Sequence, residues 1–199
     1  MDAQGRIEIR YRPAIDVEEV HDLVDVQELL LVLEQDDGPA RLAEIGRKRL
    51  PRPDDDSPNW GHVRQVADDR GSFDDVLGDW TYETQTQGRR HQSATVVAAD
   101  GTWALRRSGR STQLTIDVEP RIDDDAVLAQ LGIGAVDTFV LNVKNPRAAG
   151  EAGLEPEERA GYPDELQEVF DGNRWAPADP TALLDHVGAE FLLVPVGDG

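Results

Sequence analysis

Residues 16–50 read DVEEVHDLVDVQELLLVLEQDDGPARLAEIGRKRL, and the fold class turns on them. Residues 16–35 are read as a helix with a break near Asp25. Residues 36–50 are read as a second helix with Pro39 at its first position, where a missing N–H costs nothing. Two helices here make the chain a mixture of helix and sheet.

Working outward, GRIEIRYR (5–12) alternates apolar and polar residues and predicts an opening strand. A proline-rich loop follows residue 50, and Ser57 is expected to cap a short helix running to Val66. SFDDVLGD (72–79) predicts a helical turn. Residues 79–119 are read as an antiparallel meander, with turns at QGRRH, Asp100-Gly101 and Ser108-Gly109, because glycine reaches positive φ cheaply. DDDAVLAQLG predicts a helix capped by aspartate and stopped by Gly132. DTFVLNV predicts a central strand, followed by a long glycine- and proline-containing loop. PDELQEVF and DPTALLDHVG predict helices, and AEFLLVPV a closing strand. That C-terminal strand-helix-helix-strand unit suggests a parallel pair joined by a crossover. The expected architecture is a single α+β domain over residues 1–199, with a mainly antiparallel sheet and helices packed on it. A layered α/β fold is the alternative.

The chain carries 40 acids against 20 basic residues, a formal charge of −20 and a pI near 4.4. The acids are spread along the sequence, not gathered in a tail. All basic residues except Lys48 and Lys144 are arginine. This style resembles the salt-adapted proteins of haloarchaea, whose cytoplasm is very salty, and it implies a cytoplasmic protein. Molar salt screens self-repulsion within about 3 Å. There is no cysteine, so disulfides and thiolate metal sites are excluded. No apolar run is long enough to predict a membrane span.

Sequence motifs assign no reaction. The histidines show no HxH or HExxH spacing, and no phosphate-binding glycine loop or GxSxG elbow is present. No metal or cofactor is expected. The opening IEIRYRPAIDVEEVHDL resembles the start of the N-acetyltransferase family. That family's acetyl-CoA loop should follow LTIDV, where the acidic EPRIDDDAVL stands instead, so the assignment fails.

Charge distribution is more informative. Residues 41–110 hold 12 basic and 11 acidic residues, and the rest of the chain holds 8 and 29. Arg89, Arg90, Arg106, Arg107 and Arg110 cluster there with Trp80 and Trp103. In high salt, long-range attraction to phosphates is mostly lost. Guanidinium forks and ring stacking remain as short-range contacts. The segment therefore reads as a binding surface for an anionic ligand, RNA or a nucleotide. Turns one and three of a meander lie at one end of a sheet, so the arginines of QGRRH and RRSGR are expected to converge. A second candidate is Lys144, Asn145 and Arg147, which follow an apolar strand and could hold the anion of a small-molecule enzyme's substrate. A protein-interaction role without a pocket is the third reading.

Overall fold

The structure is a computed structural model that describes residues 2–55, 58–84, 88–148 and 153–197. Its central element is Val26–Gln35, which is a strand and not a helix. This strand, β2, pairs antiparallel with β1 (Ala3–Pro13) on one side and β3 (Ala40–Ile45) on the other. Both expected helices of residues 16–50 are thus replaced by a hairpin that turns at Asp36–Pro39. The reason lies in burial. Leu29, Leu31 and Leu33 point into the main core, while Leu30 and Val32 pack outward against Phe73 and Leu77. A strand buried on both faces shows a continuous apolar run with no period, which sequence pattern cannot separate from a buried helix. In β3, Ala40 and Leu42 join the same outer cluster, and Ala43 and Ile45 face inward.

Eight strands close into an antiparallel barrel. After β4 (Asn59–Ala67) the chain leaves the wall to form a small separate sheet, β5 (Trp80–Thr84) with β6 (Gly88–Gln92). It returns as β7 (Val96–Ser108), β8 (Ser111–Pro120) and β9 (Thr138–Lys144), then adds the short β10 (Trp175–Pro177) and finally β11 (Glu190–Pro195). The order around the wall is β1, β2, β3, β4, β11, β9, β8, β7 and back to β1. Pairing of β8 with β9, from Gln113↔Val140 to Thr115↔Thr138, closes the ring. Beyond that contact β10 takes the free edge of β9. Closure satisfies the edge groups that an open sheet would expose.

An eight-stranded barrel has an interior just wide enough for side chains to fill, and this one is filled. Trp103 on β7 stands opposite Gly5 on β1. Its indole N–H reaches across and donates to the Glu34 carbonyl on β2 at 3.3 Å. A side chain at Gly5 would collide with that carbonyl, its Cβ falling 1.9 Å from the oxygen. A residual cavity of about 20 Å³ remains between Trp103, Leu114, Leu141 and Phe191. That is room for about one water, between apolar walls that bind none. Arg41 closes one end of the interior, donating to Asp185 at 2.7 Å and Gln35 at 2.9 Å, with Leu183 and Leu184 of a 3₁₀ turn buried beside it. Leu50, Leu128 and Leu131 close the other.

The expected α+β fold, its layered α/β alternative and the parallel C-terminal pair are all corrected by this barrel. β9 and β11 are direct antiparallel neighbours, Phe191↔Val143 to Pro195↔Phe139. Helices are short: α1 (Asp74–Leu77), which continues a 3₁₀ turn from Arg70, α2 (Asp125–Gln130) and α3 (Asp164–Glu168). α2 matches its sequence signals: the Asp124 carboxylate accepts from the N–H groups of Ala126 and Val127, and Gly132 follows at φ +74°. The helix expected to reach Val66 is β4 instead; its proposed cap, Ser57, lies outside the described residues.

The meander over 79–119 is also corrected. Asp100 and Gly101 lie in the middle of β7 and make no turn. Gly101 is there for close approach, since a Cβ would sit 2.0 Å from the Asp117 carbonyl oxygen. The turn expected at Ser108-Gly109 is real: Ser108 pairs with Ser111, and Gly109 at φ +62° occupies the first central position, as a type II′ hairpin requires.

Candidate functional site

Removing one turn from the meander reverses which end of the barrel its later arginines reach. β6 lies beside the C-terminal end of β1, where Gln92 donates to the Pro13 carbonyl at 2.8 Å and Arg90 pairs with Asp16 at 2.8 Å. β7 starts there, with Val96 opposite Tyr11, and runs the length of the wall to Arg106. Ten strand residues span about 33 Å. Arg89 and Arg90 are therefore at one end of the barrel, and Arg106, Arg107 and Arg110 at the other. No single small ligand touches both groups.

The aromatic residues divide as well. Trp103 is 3% exposed and belongs to the core. Trp80 is 43% exposed, and one face of its ring covers the Arg12 guanidinium at 4.5 Å. Arg12 is itself buried and donates to the carbonyls of Val76, Gly78 and Ser93, so this contact ties the β5–β6 hairpin to the wall.

Lys144 is buried and holds Glu190, its in-register neighbour across β9 and β11, with both carboxylate oxygens at 2.9–3.0 Å. The backbone N–H of Leu154 also donates to Glu190, at 3.0 Å. Gly153 (φ +114°) lies so close that a Cβ would fall 1.7 Å from Glu190 Oε1. The ammonium is thus covered and does not face solvent. Asn145 is buried too, donating to the Asn173 carbonyl and accepting from Gln167 and the Arg147 N–H. Arg147 is exposed, 3.9 Å from Asp164. The three neighbours in sequence do not form one anion site.

Arg106, Arg107 and Arg110 lie on and beside one turn, with Arg106 and Arg107 on opposite faces of the ribbon. On one side β7 has its last partner at Leu105↔Ala3, and on the other β8 has its last partner at Gln113↔Val140. Between those points the ribbon pairs only with itself, and residues 106–110 are all exposed. Arg107 donates to the Gly109 carbonyl at 3.2 Å and lies 3.3 Å from Asp179. Arg106 and Arg110 make no ion pair among the described residues. No acid occurs between Asp100 and Asp117.

Two further features escaped sequence reading because they join distant positions. Glu8, Asp100 and Glu119 form an in-register row across β1, β7 and β8 and line an open cleft of about 690 Å³ on the outer wall. Arg70 pairs with Glu8, and Arg121 with Asp100. His62 on β4 stacks near Trp60, with ring centroids 6.0 Å apart, and stands opposite Glu190. Burial, helped by Arg64, lowers its pKa, against the opposing pull of Glu190 and Glu158. No family model, curated protein or solved structure matches this chain.

Proposed function

We propose that this barrel is a binding module that works from its outer surface, and that the β7–β8 tip takes an anionic ligand of the nucleic-acid class. The observation that carries the reading is the exposed set Arg106, Arg107 and Arg110 on one turn of a chain with net charge −20. Two of these three have no ion pair among the described residues, although the chain carries 40 acids. Planar forks still bind phosphate in concentrated salt, because their hydrogen bonds are short-range. The filled interior supports the same reading, since it leaves the wall and its ends as the surfaces that meet a ligand.

The test is binding of labelled single-stranded RNA, followed by fluorescence anisotropy across a range of KCl concentrations that keep the protein folded. Binding should weaken in the variant Arg106→Ala/Arg107→Ala/Arg110→Ala and stay unchanged in Arg89→Ala. Equal binding by the triple variant and the unaltered chain would remove the tip from the reading.

A further inference from the structure

We infer that the outer face of β4, β11 and β9 seats a second copy of this chain, in a weak two-fold dimer. The inference is independent of the ligand proposed for the β7–β8 tip. It starts from where charge is missing. β9 and β11 carry one charged residue each, Lys144 and Glu190, and these hold each other beneath Gly153 and Leu154. The adjoining part of β4, Asn59–Val63, has no acid, lysine or arginine. The rest of the wall differs. β1, β7 and β8 turn Glu8, Arg10, Asp100, Asp117 and Glu119 outward, and the outer leucines of β2 and β3 lie under Phe73 and Leu77.

Apolar surface in register takes the place of charge. Trp60 stands opposite Leu192, and Leu192 opposite Asn142. In the next outward row Val194 stands opposite Val140. Leu192, Val194 and Val140 are partly exposed and belong neither to the main core nor to the outer cluster. Trp60 is 38% exposed. Its ring is held in place, since a Cβ at Gly46 would collide with the indole and His62 stacks beside it. A large aromatic side chain already fixed in position loses little freedom on binding, which suits it to anchor an interface.

Charge selects the occupant. A partner recruited by its charge finds no complement on this face and is drawn to the opposite wall. Two copies of this chain each carry −20, and like charges brought face to face are costly. A copy therefore approaches most easily where acids are absent. A two-fold axis through this face sets uncharged surface against the same uncharged surface. β1 is four places from β11 in the ring of eight, so Glu8 and its cleft point away from the seated copy. The apolar centre spans β4 to β9, two strand spacings or about 10 Å. A centre that narrow belongs to the small, transient class of interface, so pairing depends on concentration.

Sedimentation velocity in molar KCl tests this. The mass should rise with concentration from 21.9 kDa toward twice that value, and no further. Added KCl should not weaken the association, because salt screens charge and not apolar contact. Leu192→Glu puts a new carboxylate on the face of each copy and should raise the concentration needed for pairing at least about tenfold. Thr102→Glu, on the exposed side of β7, should leave it unchanged. Hydroxyl-radical footprinting of the unaltered chain should show Trp60 and Leu192 protected at high concentration and Trp80 unaffected. A monomer at every concentration overturns the inference, whether the face is then bare or covered by another protein. Growth past two copies, pairing that dissolves as KCl rises, or protection of Trp80 in place of Trp60 overturns it too, as does unchanged pairing by Leu192→Glu. Circular dichroism on both variants separates lost pairing from lost folding, and the footprint decides the matter if a variant does not fold.

Discussion

Lys144 and the arginines of the β7–β8 tip are cations placed at the same end of one barrel, and they have opposite fates. β9 runs toward that end as it passes Val140↔Gln113, so Lys144 emerges near the level of the tip. There the chain folds back: Gly153 and Leu154 seal Lys144 against Glu190. At the tip, residues 106–110 stay in solvent, while Thr112 on the β8 side is buried. A cation's burial, more than its sequence setting, decides whether it is tied into the fold or left facing solvent. Desolvation makes the first strongly dependent on its partner, and solvent makes the second nearly free of consequence for stability.

The largest effect expected is on the whole molecule. In dilute buffer 40 acids repel without screening, so circular dichroism should show loss of structure that molar KCl restores. A fold equally stable without salt would contradict the salt-adapted reading.

Breaking the Lys144–Glu190 pair comes next. Lys144→Ala leaves the Glu190 carboxylate buried without its ammonium and should cost about 3–5 kcal/mol, read from denaturant melts in molar KCl. Lys144→Met combined with Glu190→Leu should recover most of the loss, because an apolar pair needs no desolvation. If the single variant is as stable as the parent, the pair is not the structural element described above.

A smaller effect sharpens the electrostatics beside the pair. His62 has a folded-state pKa below its usual 6.5. As pH falls below 6.5 the unfolded chain takes up a proton that the folded chain resists. Stability should therefore fall with pH in this range and be fully present above it. Melting curves of His62→Gln should lose that part of the slope. The smallest stability effect belongs to the tip: replacing Arg106, Arg107 and Arg110 by alanine should change unfolding free energy by no more than about 0.5 kcal/mol, while binding is lost.

Local signals were legible in the sequence wherever the determining contact is itself local. Asp124 caps α2 by bonding residues two and three positions away, and Gly109 makes the tip turn through its own φ. β1 was legible because its outer face is polar, with Arg6 and Glu8 alternating against Ile7 and Ile9. The absence of cysteine and the charge of −20 were fixed by composition alone. Tertiary structure decided the rest. β2 became a strand because Phe73 and Leu77 cover its outer leucine and valine while the barrel covers the inner ones, and no property of LLLVL announces two covers. Asp100-Gly101 stayed extended because Asp117 approaches it across the barrel wall, where the same dipeptide in isolation favours a turn. That one position set the parity of the later turns, and so placed Arg106 about 33 Å from Arg90's end of the wall. Lys144 was sealed by Glu190, 46 residues later. Pairing across such separations depends on which surfaces the closed barrel brings into contact, and residue order alone does not contain it.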